Sequence, residues 1–405
     1  MKNGRSRAYT MVLALLLLSS CAKPPQPKPE PPLDVIPGGE RGQDKPAVSE
    51  AERDYVVVTV HYGTDRKATG QAEPNRFYGT GRGELQFGRV DVSIPKRHKA
   101  GNVESPSWMR LEFKEDPNKH IMLLELKPLS RDAFRDSVRR EMKEGPGRGD
   151  LFVYIHGFKN DFRSSVRRTA QLAYDLGFPG LPVAYSWPSQ DRLSPLAYTQ
   201  DEAATEWTYP HFREFLLQLK SIAGTNKIHI VAHSMGNRVL ARALMDLARE
   251  KAPRMFNQIV MAAPDIDAEV FYRDMLPVIT RTATRITLYA SSTDRALAVS
   301  KKVHGAARAG ESGSAMVIAE GLDTVDATGI DTAMLGLRHS YFSNCIKIIR
   351  DMMGVAIKEL PPSQRELEGR ESKGLAYWTF PASSEPPPKP GPGDEDLLED
   401  EDDGL

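Results

Sequence analysis

The chain's hydrophobic positions fall into three regimes. Ala8 to Leu18 is a continuous apolar run behind Lys2, Arg5 and Arg7. From there to about Glu52 large apolar residues almost vanish, and eight prolines lie between Ala22 and Glu52. From Arg53 to about Gly354 the pattern is that of a packed body. It opens with β-rich stretches: Tyr55 to Val60, the alternating run Leu85 to Ile94, and Ile121 to Leu126. After Gly149 the unbroken apolar run Leu151–Ile155 and the strand-like segments Leu181–Trp187, Ile228–Ala232, Gln258–Ala262 and Arg285–Ala290 alternate with helical stripes. One stripe is Phe212, Phe215, Leu216, Leu219, Ile222 and Ala223; another is Val239, Leu240, Ala243, Leu244 and Leu247. A short continuous apolar run such as Leu151–Ile155 is of the kind buried on both faces of a parallel sheet. The alternation of such segments with helices predicts an α/β fold: a mostly parallel central sheet, helices on both faces, and a β-rich N-terminal part.

The ends read differently. A basic start, an apolar core too short to span a bilayer, and Leu18-Ser19-Ser20-Cys21 resemble a bacterial lipoprotein signal. Residues 1–20 are expected to be removed, leaving Cys21 as the lipidated first residue and membrane anchor. Ala22, in place of Asp, points to an outer membrane, with the body facing the periplasm. Residues 21–52 read as a proline-stiffened stalk. Residues 355–405 read as a C-terminal extension ending in a proline-rich, acidic tail, whose partner, if any, stays unknown. Lys plus Arg equals Asp plus Glu at 54 each, so no global field recruits nucleic acid. Two cysteines exclude a disulfide scaffold. Gly79-Thr80-Gly81-Arg82-Gly83 departs from a dinucleotide fingerprint at Glu84 and is read as turn glycines.

In open parallel sheets, sites lie at the carboxyl ends of the strands. Ala232-His233-Ser234-Met235-Gly236 closes a strand and opens a helix, the setting of a nucleophile elbow. The usual first glycine is Ala232 here, which only a small side chain allows. A serine needs a base and donors for the developing oxyanion. The loop His156-Gly157-Phe158, straight after a strand, supplies the donor site through Gly157 and Phe158, and Met235 follows the nucleophile. His156 is expected to be structural. The base belongs late in the chain, which points to His339 before the last helix; His304 is expected on the surface or in packing. The acid is Asp294, after the run ending at Ala290, with Asp265 or Asp267 as alternatives one strand earlier. The later loop is the usual place, the earlier a known variant, and one of them is expected to be only a turn or helix cap.

Together Tyr62-Gly63-Thr64-Asp65-Arg66, Tyr154-Ile155-His156-Gly157-Phe158, the serine elbow, Ala262-Ala263-Pro264-Asp265-Ile266-Asp267 and His339-Ser340-Tyr341-Phe342 resemble a bacterial family of esterase-like α/β-hydrolases, a domain of unknown function of the DUF900 type. The resemblance covers about Tyr55 to Met353. It implies an α/β-hydrolase fold and a serine-hydrolase site for small-molecule or lipid esters, but no particular substrate. No H-E-x-x-H, P-loop or cysteine cluster occurs, so no metal or organic cofactor is expected. An acyltransferase using the same triad, or an inactive hydrolase fold serving as a binding or scaffold lipoprotein, are the alternatives.

Overall fold

The computed structural model describes residues 53–107, 111–145, 149–250, 254–292, 297, 300, 301, 304–328, 330 and 342–381, with side chains in the last segment from Ile346 onward. The expected signal, Cys21 and stalk, the tail beyond 381, Asp294 and His339 lie outside the described residues.

The β-branched opening run forms β1 (Tyr55–Ala68). It returns through a 3₁₀ turn, Pro74–Arg76, into β2 (Tyr78–Pro95), and β3 (Met122–Leu129) lies beyond β2; both pairings are antiparallel. Helix α1 (Arg131–Glu144) leads to β4 (Leu151–Ile155), α2 (Phe162–Leu176), β5 (Leu181–Ser186), α3 (Pro195–Ala223) and β6 (Ile228–His233). Next come α4 (Gly236–Arg249) and β7 (Phe256–Ala262). The short helical stretch we call α5 joins Ala268–Val270 to Leu276–Ile279 through a π turn. Then follow β8 (Ala283–Ala290), β9 (Asp323–Asp326), α6 (Phe342–Ala356), β10 (Glu368–Ser372) and β11 (Leu375–Thr379).

All eleven strands share one sheet, ordered β10-β11-β9-β8-β7-β6-β4-β5-β1-β2-β3. From β11 across to β1 every pairing is parallel, so these strands end on one edge. The period-2 rule splits their side chains between two cores. Leu151, Val153 and Ile155 of β4 meet the stripes of α3 and α4, whereas Phe152 and Tyr154 meet α2 and α6 on the other face. Both predicted helix stripes are buried. The expected fold class is the one observed.

Three local readings change. Gly79, Gly81 and Gly83 are not turn glycines: they lie inside β2, opposite a part of β1 with register shifts around Arg66. A Cβ on Gly83 would sit 3.1 Å from the Lys67 Cα, so the glycine lets the bulged strands close up. Helix α3 begins seventeen residues before its Phe212 stripe, at a Ser194 cap that accepts from the Ala197 N–H, and continues through Pro210. The body also runs past Gly354. β11 pairs with β9 through Trp378 and Val325, and Trp378 and Phe380 pack on the α2/α6 core. The chain from 355 to 381 therefore completes the sheet.

Candidate active site

Ser234 stands where β6 ends and α4 begins, with φ +48°, a left-handed backbone unusual for a non-glycine residue. Such a residue costs about 1–2 kcal/mol and needs the surroundings to hold it. They do. Its N–H donates to the Ala262 carbonyl at 2.9 Å, and its own carbonyl accepts from the Asn237 N–H at 3.0 Å. The Asn237 amide also bonds the carbonyls of Ala232, Ser234 and Ala262, tying the end of β6 to the end of β7. This buried asparagine is a part of the elbow that the motif does not reveal.

The glycine two after the serine is sterically required, since a Cβ on Gly236 would lie 2.4 Å from the His156 carbonyl oxygen. Gly157 is required from the opposite side: its Cβ would lie 2.9 Å from Ser234 Cβ and from His233 Nδ1. The loop after β4 and the elbow after β6 therefore touch, bringing Gly157 and Phe158 to Ser234 and Met235. Among the described residues, the N–H groups of Phe158 and Met235 have no hydrogen-bond partner. They remain available as donors.

His156 is structural, as expected. It is wholly buried and stacks on Trp187 with 5.0 Å between ring centroids. Burial first, and the nearby Arg66 charge second, push its pKa well below the ordinary value, so it is neutral. Its Nε2 accepts from the Trp187 N–H at 3.1 Å, which leaves Nδ1 as the donor to the Gly157 carbonyl at 2.8 Å. His233, beside the serine, is also kept neutral by burial, its pKa lowered to about 3.

The two candidate acids of the β7 loop have other occupations. Asp267 caps α5, accepting from the Glu269 and Val270 N–H groups at 3.0 Å each. Asp265 is buried, and its carboxylate accepts from Tyr198, from Ser300 Oγ at 2.6 Å and from Arg308 Nε at 2.9 Å. Arg238 lies 3.6 Å from the same carboxylate. Burial works to raise the Asp265 pKa, but Arg238 and Arg308, helped by Ser300 and Tyr198, hold it below the usual range. A carboxylate so surrounded ties Tyr198 of α3, Arg238 of α4, Ser300 and Arg308 to the loop after β7. His304 lies partly exposed, bonded to the Ser300 carbonyl at 2.7 Å and to Glu202 at 2.8 Å, in keeping with a surface role.

A family model described as an α/β-hydrolase of unknown function (DUF900) matches residues 130–355, more than half of the chain. The chain belongs to that family. Among solved structures, this DUF900 hydrolase is similar to a provisionally named cell-surface hydrolase of Lactobacillus plantarum WCFS1, at 11% identity over 53% of this chain and 94% of that one, TM-score 0.33. It is also similar to EstFA in an iron-lacking form, at 10% identity over 57% and 93%, TM-score 0.32. A third is an esterase of Rhizomucor miehei, at 8% identity over 75% and 86%, TM-score 0.29. No match was found among curated proteins.

Beyond Asn237, sequence reasoning missed how the DUF900 hydrolase uses Tyr62-Gly63-Thr64-Asp65-Arg66. Every residue of it but the glycine is wholly buried as a side chain: Tyr62 against Tyr78 and Phe162, Thr64 donating to the Ser186 carbonyl at 2.6 Å, Asp65 accepting from Thr208 at 2.7 Å. A Cβ on Gly63 would meet the Phe215 ring at 2.5 Å. Polar Thr64, Asp65 and Arg66 in a strand that opens on the β-branched run Val56–Val60 were the available signal.

Proposed function

We propose that this α/β-hydrolase is a serine esterase held at the bacterial envelope by lipid on Cys21. Ser234 attacks the ester carbonyl while His339 takes its proton and passes it to the leaving alcohol; Asp294 orients the imidazole and balances its charge. The N–H groups of Phe158 and Met235 receive the oxyanion, and Gly157 gives the carbonyl room to approach. Water then repeats the sequence on the acyl-enzyme and frees the acid. The observation that carries the reading is the left-handed φ of +48° at Ser234, held at a strand-to-helix turn with Gly157 packed against it. Strain kept at a serine on the carboxyl edge of the sheet has a reason if the hydroxyl must be presented. The saturated bonding of Asp265 favours Asp294 as the acid.

Short-chain aryl esters, which ask little of an acyl pocket, are the substrates for the test. Asp294→Asn should lower turnover by up to about 10⁴ in a protein that melts like the wild type. Asp265→Asn should instead lower the melting temperature, because it removes the charge opposite Arg308. The reverse pattern would move the acid to the β7 loop. Attachment is read separately: an alkynyl fatty acid should label the wild type and not Cys21→Ser, and equal labelling would refute the anchor.

A further inference from the structure

A buried guanidinium is costly unless its donors are matched, and Arg66 is fully buried. It has an uncharged acceptor for each of its five N–H groups. Nε donates to Ser186 Oγ at 2.9 Å, Nη1 to the carbonyls of Gly79 and Ser189 at 3.2 Å each, and Nη2 to the Asn160 carbonyl at 2.6 Å. The fifth direction meets His156 Nε2 at 3.4 Å. These partners come from three segments at one edge: the start of β2, the end of β5 with its loop, and the loop after β4.

That last loop carries the consequence. Arg66 Nη2 and the Trp187 N–H both face His156 Nε2, so the ring's proton stays on Nδ1 and is donated to the Gly157 carbonyl. The Asn160 amide reaches the same carbonyl at 3.3 Å and the Phe158 carbonyl at 2.9 Å, while Arg66 holds Asn160 through its backbone. A trans peptide is planar, with its C=O and N–H opposed. Fixing the Gly157 carbonyl toward His156 and Asn160 therefore aims the Phe158 N–H the other way. Lys159, at φ +57°, completes the tight turn that this requires.

We infer that Arg66 is a positioning residue: by clamping Asn160 and fixing the tautomer of His156, it sets the direction of the Phe158 N–H. The inference rests on the serine-hydrolase reading, and its role is distinct from holding the fold. A lysine has three donors on a point charge and cannot span the same acceptors.

The test compares labelling of the full chain by a fluorophosphonate, whose adduct carries an oxygen in the oxyanion position, with ester kinetics. Arg66→Lys should label about 10- to 100-fold more slowly, with kcat falling in proportion and KM within about twofold, because misaiming one donor costs at most what its removal does. The His156 pair reads the same relay if Arg66→Lys does not fold. The asparagine amide nitrogen can stand near Nδ1 and keep the bond to Gly157, whereas glutamine reaches only the Nε2 position. His156→Asn should therefore label at least about tenfold faster than His156→Gln. A wild type that does not label defeats the hydrolase reading, and the inference with it. A wild type that labels, with Arg66→Lys equally fast or with His156→Asn no better than His156→Gln, overturns the inference alone. A lower melting temperature with unchanged kcat would make Arg66 merely structural.

Discussion

The backbone at Ser234 gives a stability test that needs no substrate. At φ +48°, a side chain in the left-handed region costs about 1–2 kcal/mol, a cost that alanine shares and glycine does not. Glycine pays instead through its freer unfolded chain, by about 0.4–1 kcal/mol. The difference leaves Ser234→Gly more stable than Ser234→Ala by about 0.5–1 kcal/mol, the reverse of their order in an ordinary helix. Neither variant adds an atom to this buried position: alanine loses the hydroxyl and glycine the whole side chain. Urea unfolding of both variants, compared at equal m values, measures the gap, and thermal melts should differ by about 1–3 °C. An alanine variant as stable as the glycine one would mean that the serine is not held in the left-handed turn, and the elbow would lose its strain.

Three further outcomes concern the body. Cutting the chain after Gly354 should abolish a cooperative melt that a 53–381 chain retains, because it removes β11 and Arg365; the latter is buried against Asp351 at 2.9 Å. Arg365→Ala alone should cost about 3–5 kcal/mol by leaving the buried Asp351 with only its Tyr289 hydrogen bond and no counter-charge, and a loss under about 1 kcal/mol would contradict this. His98 lies buried between Glu104 at 2.8 Å and Asp175 at 2.7 Å; although burial works to lower its pKa, those two carboxylates lift it to about 9. A folded pKa above the unfolded value of about 6.5 gives stability that is complete below pH 6.5 and lost as pH rises through 9. His98→Gln should flatten that decline in urea midpoints measured from pH 6 to 10, and an unchanged slope would show that His98 is not its source.

Much of the architecture was legible because the sheet is buried on both faces. Runs such as Leu151–Ile155 and Ile228–Ala232 are too short and too β-branched to read as helices, and the stripes of α3 and α4 followed from period. The elbow was legible because its sterics select residues that are adjacent in sequence. What escaped depends on contacts between distant segments. β10 is polar and largely exposed, so no apolar pattern marks it; β11 carries Leu375, Tyr377 and Trp378, but its strand character comes from pairing with β9 on one side and β10 on the other. The glycines of β2 look like a turn until the bulged β1 lies against them. Asp265 resembles a catalytic acid in its loop, and only Arg238, Arg308, Tyr198 and Ser300, drawn from α3, α4 and the chain beyond β8, show how fully its carboxylate is bonded. Asn237 and Arg66 act on backbone carbonyls, which carry no sequence signature.

If Ser234 is an activated nucleophile, a mechanism-based label should find it and nothing else. A fluorophosphonate attached to a reporter is incubated with the full chain, and the adduct is located by mass spectrometry of its peptides. The phosphonate adduct resembles the tetrahedral intermediate, so it forms only where nucleophile, base and oxyanion donors coincide. A single adduct should form on Ser234, absent in Ser234→Ala, strongly reduced in His339→Ala and undiminished in His304→Ala. A folded wild type that takes up no label, or labelling that survives Ser234→Ala, would contradict that reading of Ser234.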